Sequence, residues 1–166
     1  WLRGGNHAGM GYLASDRHIE SRKDPHTLMP TVQSIIVLGL PYELHPLSRL
    51  DDPHIGLVAG YAVGEDYHTR IPSLLTPLIE SLDGLFGCRV KTRIFSDSAP
   101  ILERELGIRS GLGWIGRNSC LISPRAGSAF LMAEVFLDQS LEPDPPFTGD
   151  RCGSCQRCVK ACPTGC

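Results

Sequence analysis

Hydrophobic and polar positions along the 166-residue chain change period several times, and each change predicts a new element. Residues 1–14 place Met10 and Leu13 on one side of a short helix that the local glycines weaken. Residues 22–30 read as a turn-rich link, and 32–40 (VQSIIVLGL) as a buried strand. Residues 41–57 carry prolines and no periodicity, which predicts a loop. From 66 to 86 the apolar positions Ile71, Leu74, Leu75, Leu78, Ile79, Leu82, Leu85 and Phe86 recur at helical spacing. Pro72 suits the first turn of that helix. Pro77 is interior, costs about 3 kcal/mol and predicts a kink, and Gly87 is a natural stop. Residues 88–95 alternate as a strand. Residues 98–106 predict a second helix, capped by Ser98 with Pro100 in its first turn. Residues 119–122 and 129–137 are two further strands, and 141–150 is a proline-rich boundary. Strands alternating with helices place the chain in the α/β class.

Composition adds limits. Apolar residues make up 42% and charged residues 20%, as in globular domains, and the length suits one domain with a real core. A net charge of −2 carries no global electrostatic footprint for nucleic acid. No apolar run reaches eighteen residues, and the N-terminal sequence lacks the pattern of a signal peptide. The chain opens on Trp1 rather than Met and closes on Cys166 within a cysteine cluster, so both ends are expected to continue in a longer protein.

Five of the seven cysteines fall in the last fifteen residues, a clustering that points to a metal centre in a reducing cytoplasm rather than to a disulfide scaffold. The spacing Cys152-x2-Cys155-x2-Cys158-x3-Cys162-Pro163 is that of bacterial-type iron–sulfur ligation, in which the cysteine before proline serves the second of two clusters. A zinc site is the competing reading, but zinc ligands usually come as separated pairs. Three thiolates leave the first cluster one ligand short, and Cys162 alone cannot hold a second, so the remaining ligands are expected beyond residue 166. Cys166 has no place in the spacing.

Gly111-Leu112-Gly113-Trp114-Ile115-Gly116 fits G-x-G-x-x-G, but a dinucleotide site needs a strand before it and a helix after it, and here the order is reversed. A tight turn, or a turn that lets backbone approach a large flat cofactor, are the other readings. Asp66, ahead of the long helix and beside Tyr67 and His68, reads first as a helix cap. Asp97 lies between a strand and a proline-started helix. It is either a cap or a proton donor at a strand end, where α/β folds gather their sites. Glu103-Arg104 reads as exposed or locally paired helix surface.

Taken in order, these pieces resemble the epoxyqueuosine reductase family. The blocks that carry the resemblance are His7-Ala8-Gly9-Met10, Arg22 with Asp24-Pro25, and Tyr61 with Asp66-Tyr67-His68. They continue with Asp97 and Ala99-Pro100, Glu103-Arg104, the glycine turn from Gly111 to Gly116, Cys120-Leu121-Ile122, and Cys152 through Cys162-Pro163. The resemblance implies reduction of epoxyqueuosine to queuosine at the wobble position of tRNA, by a monomeric cytoplasmic enzyme served by an external electron donor. It implies cobalamin bound base-off and two [4Fe–4S] clusters, with residues 1–150 as the cobalamin-binding catalytic domain and 151–166 as the start of a ferredoxin-like module. The histidine-on signature D-x-H-x-x-G is absent, in keeping with that mode. Asp97 matches the family's general acid. Arg22, Tyr61, His68, Asp97, Trp114, Ile122 and Met132 are the candidates for the cobalamin site, and Cys152, Cys155, Cys158 and Cys162 for the clusters. Arg117 departs from the family's usual lysine. A reductive dehalogenase shares the cofactor logic but uses a tyrosine acid. A plain iron–sulfur electron-transfer module would leave Asp97 and the glycine turn without a role.

Overall fold

The architecture is taken from a computed structural model that describes residues 1–44, 54, 56 and 58–165. Most of the predicted loop at 41–57, and Cys166, lie outside the described residues.

The centre of the molecule is a three-stranded antiparallel sheet. Strand β1 is Ser34–Pro41 and β2 is Thr92–Phe95. Strands β3 (Trp114–Ile115) and β4 (Leu121–Ile122) form a separate hairpin, and β5 is Phe130–Leu137. The sheet order is β1-β5-β2, with Ser34 opposite Leu137, Pro41 opposite Phe130, Thr92 opposite Leu137 and Phe95 opposite Glu134. β1 and β2 are therefore both antiparallel to β5, and helix α2 (Tyr67–Phe86) lies between them in the chain, a split β-α-β arrangement. The expected mixture of helices and strands is present, with every neighbouring pair antiparallel.

Helix α2 forms for the reasons legible in its sequence. The Asp66 side chain accepts the His68 N–H as N-cap, and Gly87 ends the helix in the left-handed conformation at φ 64°. The helix is continuous across both Pro72 and Pro77. Its inward stripe, Leu75, Leu78, Leu82 and Phe86, packs with Val90 on the face of β5 that presents Val135 and Leu137. Val135 and Leu137 are fully buried, and burying each such side chain stabilises the fold by roughly 1.5–3 kcal/mol. Leu74 and Leu85 turn to solvent. The other face of the sheet carries Phe136 and Phe95 in edge-to-face contact, ring centroids 4.9 Å apart, with Met29, Val32 and Ile101 around them.

Three expectations shift. The N-terminal fourteen residues form two 3-10 turns, Leu2–Gly4 and Gly11–Ala14, rather than a helix. Helix α1 (Asp16–Lys23) lies instead in a stretch that lacks an apolar stripe, capped by Ser15, which accepts the His18 N–H. Helix α3 is Glu103–Arg109 and begins later than Ser98, because residues 96–102 are used to shape a loop at the end of β2. Helix α4 (Arg157–Lys160) is a single turn within the cysteine run. No helix among the described residues is long and apolar enough to cross a membrane.

Leu137→Ala is expected to destabilise the intact protein by about 2–5 kcal/mol, since a cavity opens between sheet and helix. Leu85→Ala, on the solvent side of α2, should stay within about 0.5 kcal/mol. Denaturant unfolding of the two variants side by side checks the packing; equal losses would mean that α2 is docked by a different face.

Candidate active site

The loop between β2 and α3 brings Asp97 to a cleft at one end of the sheet. Asp97 has a positive φ of 51°, a conformation uncommon for residues other than glycine but tolerated by aspartate. Two hydrogen bonds hold Asp97 itself and two hold Ser96 before it. The Asp97 N–H donates to the Glu103 carboxylate at 2.8 Å, and the Tyr67 hydroxyl donates to the Asp97 carboxylate at 3.3 Å. The Ser96 N–H donates to the Ser98 hydroxyl at 3.3 Å, and the Ser96 hydroxyl donates to the Met132 carbonyl on β5 at 2.7 Å. A strained residue fixed this thoroughly, with its carboxylate exposed to a cleft, is a mark of a functional position.

The cleft has a volume of about 380 Å³. Tyr42, Tyr61, Tyr67, Phe130 and Met132 give it aromatic and apolar walls, and Asp97, Glu103 and Arg104 its charge. Tyr61 leans edge-to-face on Tyr42 with centroids 6.1 Å apart. Burial first, and then the Asp97 charge, push the Tyr67 phenol above its usual range. Tyr67 also stacks on His68 at 4.1 Å, while the His68 ring is tied to Asp66 at 2.8 Å.

The sequence-selected residues divide by position. Tyr61, Asp97 and Met132 line the cleft together. His68 sits behind Tyr67. Arg22 lies along a separate groove beside α1 and donates to the carbonyls of Leu13 and His18 at 3.1 and 3.3 Å. Trp114 and Ile122 are cross-strand partners in the β3–β4 hairpin. Trp114 stacks on Phe147 and directs its indole N–H to the Cys152 sulfur at 3.5 Å. The glycine motif is a tight turn leading into that hairpin. A Cβ at Gly113 would stand 1.9 Å from the Ile122 carbonyl oxygen, and one at Gly116 2.4 Å from the Ile122 side chain. The close approach that requires glycine is thus made to β4. A hairpin rather than a helix follows the motif, so the dinucleotide reading fails on context.

The cysteine segment is held against this hairpin. The Arg117 guanidinium donates to the Gly153 and Cys155 carbonyls at 2.7 and 2.6 Å, and the Asp150 carboxylate accepts the Cys152 N–H at 2.7 Å. That last bond holds the Asp150 carboxyl below its usual range. Cys152 and Cys162 are half-buried, while Cys155 and Cys158 are exposed. No group of three or more potential ligands among the described residues is close enough to hold a metal ion.

Residues 22–98 match the family described as epoxyqueuosine reductase QueG, DUF1730. The epoxyqueuosine reductase of Cyclobacterium marinum is 41% identical over 165 residues, which cover 99% of this chain and 52% of that protein. Over nearly its whole length this chain is similar to epoxyqueuosine reductases. The epoxyqueuosine reductase structure from Streptococcus thermophilus agrees with a TM-score of 0.75 at 26% identity, over 99% of this chain and 46% of that one. An epoxyqueuosine reductase solved with a tRNA-Tyr epoxyqueuosine-modified stem loop agrees at 0.73 and 30% identity, over 98% of this chain and 44% of that one. The chain spans about half the length of the curated relatives it matches.

Two residues escaped the sequence reading. Glu103 is half-buried rather than surface, and its carboxylate is part of the Asp97 loop. Burial raises its pKa and the Asp97 N–H opposes that rise. Glu134 occupies the middle of β5, fully buried, with neither carboxyl oxygen hydrogen-bonded. A single acid in the otherwise apolar run 129–137 was its signal in the sequence. Burial, with Glu103 as a second cause, pushes the Glu134 carboxyl up to about 8.

The sign of the consequence follows from proton counting. In the unfolded chain this carboxyl ionises near 4.5, while in the fold it keeps its proton to about 8. The folded state therefore binds more protons across that window. Its stabilising contribution is complete below the window and is lost as pH rises through it, by at most about 1.4 kcal/mol per pH unit. Glu134→Gln cannot ionise, so the difference in unfolding free energy between variant and parent should slope across the window; a flat difference would sink the neutral-acid assignment. Separately, Arg117→Ala should release the cysteine segment. Limited proteolysis of the intact protein around residues 151–157 should accelerate about tenfold, as expected for loss of charge-assisted bonds, and unchanged cleavage would show that the clamp contributes nothing.

Proposed function

We propose that this chain is the catalytic part of an epoxyqueuosine reductase that converts epoxyqueuosine in tRNA to queuosine, with Asp97 as the proton donor. The observation that carries the reading is Asp97, at positive φ and anchored through both its amide and its carboxylate, facing an aromatic cleft in a chain whose relatives bear that name. A relative solved with an epoxyqueuosine-modified tRNA stem loop supports the substrate class.

The residues present fit a flat apolar cofactor in chemical terms. Tyr42, Tyr61, Phe130 and Met132 offer wide nonpolar surface, and Asp97 stands at its edge. In this reading residues 1–150 bind cobalamin, which supplies a low-potential reductant for the carbon–oxygen bond, and residues 151–166 begin the module of two [4Fe–4S] clusters. Cys152, Cys155 and Cys158 have the donor chemistry for one cluster and Cys162 for the other. Their thiols are not gathered into a metal site among the described residues.

The role of Asp97 follows from the products. Reducing an epoxide to an alkene consumes two electrons and two protons and releases water. Breaking the first carbon–oxygen bond leaves charge on oxygen, and a carboxylic acid within reach neutralises it as it develops. Tyr67 holds the carboxyl that delivers this proton, and the Glu103 bond holds its backbone.

Asp97→Asn in the full-length protein keeps size and hydrogen bonding but cannot donate the proton. Turnover of epoxyqueuosine-tRNA should fall by about 10²–10⁴, with cobalamin uptake and its base-off spectrum retained. Full activity in the variant would remove Asp97 from the chemistry, and absence of cobalamin uptake by the parent would remove the cofactor assignment.

A further inference from the structure

Among the described residues, Glu134 is the fully buried acid that the reaction above does not use. It lies at the centre of β5, opposite Val37 on β1 and Phe95 on β2. By strand alternation its side chain shares a face with Met132 and Phe136, the face over which α3 lies. Both carboxyl oxygens lack hydrogen-bond partners. A carboxyl at such a place is costly even when neutral and far more so when charged, and an apolar side chain of similar volume would fill the space without either cost. Its retention calls for a role.

The geometry supplies one through Glu103. Among the described residues Glu103, in the first turn of α3, is the ionisable group whose charge acts on Glu134, and the strand neighbours Val37 and Phe95 are apolar. Glu103 in turn feels the charges of Asp97 and Arg104, and its carboxylate accepts the Asp97 N–H at 2.8 Å. Phe95, paired with Glu134, stands two residues before Asp97, whose N–H Glu103 accepts, so the two carboxyls share one low-dielectric neighbourhood and cannot both be charged at modest cost. We propose that Glu134 is a positioning residue: a neutral carboxylic acid beneath α3 that leaves Glu103 free to carry the charge gripping the Asp97 amide. When Glu134 loses its proton, Glu103 must take one up or move away. The bond to the Asp97 N–H then loses its charge assistance, and the strained loop loses one of its four anchors. The significance of this for catalysis rests on Asp97 being the acid, but the latch itself does not.

The test is therefore amide hydrogen exchange over residues 96–99 of the full-length holoenzyme, without substrate, from pH 6 to 9.5 and corrected for intrinsic base catalysis. In the parent, protection of the loop should fall about tenfold as Glu134 ionises, the size expected for weakening one hydrogen bond to a charged group. In Glu134→Gln protection should stay level across the range. In Glu103→Gln it should stay at about a tenth of the parent's low-pH value across the range. A Glu134→Gln protein that follows the parent's pH course overturns the proposal, as does a Glu103→Gln protein with undiminished protection. Thermal melts at pH 7 establish that each variant is folded; if Glu134→Gln is not, Glu134→Met, which also cannot ionise, is read in the same way. Turnover of Asp97→Asn decides the acid assignment independently of either outcome.

Discussion

Strand β5 is paired along both edges and covered on both faces, and this double burial dictates where everything else can stand. Its backbone groups are satisfied only if β1 and β2 lie on either side, both running against it. Its Val135 and Leu137 require the apolar stripe of α2 on one face. Its Met132, Glu134 and Phe136 occupy the other, beneath α3 and the end of β2. The cleft opens where β2 leaves the sheet, and the Ser96 hydroxyl ties that exit directly to the Met132 carbonyl of the central strand. A cleft built this way inherits the rigidity of the core while keeping the Asp97 carboxylate in the open.

The same economy governs the hairpin formed by β3 and β4. Gly113 and Gly116 let its strands approach more closely than any side chain permits, which presents Trp114 to Phe147 and Cys152, and Arg117 to the carbonyls of the cysteine segment. The proline-rich stretch before that segment is itself bound to the end of α3, where the Phe147 N–H donates to the Ile108 carbonyl at 2.8 Å. The acid-bearing loop and the cysteine segment thus reach the same short helix, one at each end. Arg117 bonds two carbonyls at once, which a planar fork does and a lysine ammonium does with less directional control.

Much of this was legible in the residues. The stripe on α2, its Asp66 cap and its Gly87 stop were readable because helix periodicity and capping are local. The strands at 32–40 and 129–137 were readable because buried strands are short apolar runs. The family resemblance rested on the order of several weak blocks, and the relatives bear it out. Helix α1 was not readable: its sequence DRHIESRK has no apolar stripe, and the Ser15 cap and the Arg22 bonds to Leu13 and His18 take that stripe's place. The start of α3 was misplaced because Ser98 and Pro100 are good local starters, while the loop that displaces them is held by groups on β5 and α2.

The sequence by itself determined the long helix α2 and the strands β1 and β5, the thiol-rich terminus, the inconsistency of G-x-G-x-x-G with a dinucleotide site, and the singling out of Asp97. Each follows from interactions between residues a few positions apart, or from residue order. The tertiary structure alone decided that Asp97 takes a left-handed backbone gripped by Glu103, that Trp114 faces the cysteine segment rather than the cleft, and that Glu134 is buried without a partner. Those facts depend on the pairing of strands nearly a hundred residues apart and on the low dielectric this pairing creates. A charge or an N–H has no such environment until the strands have met.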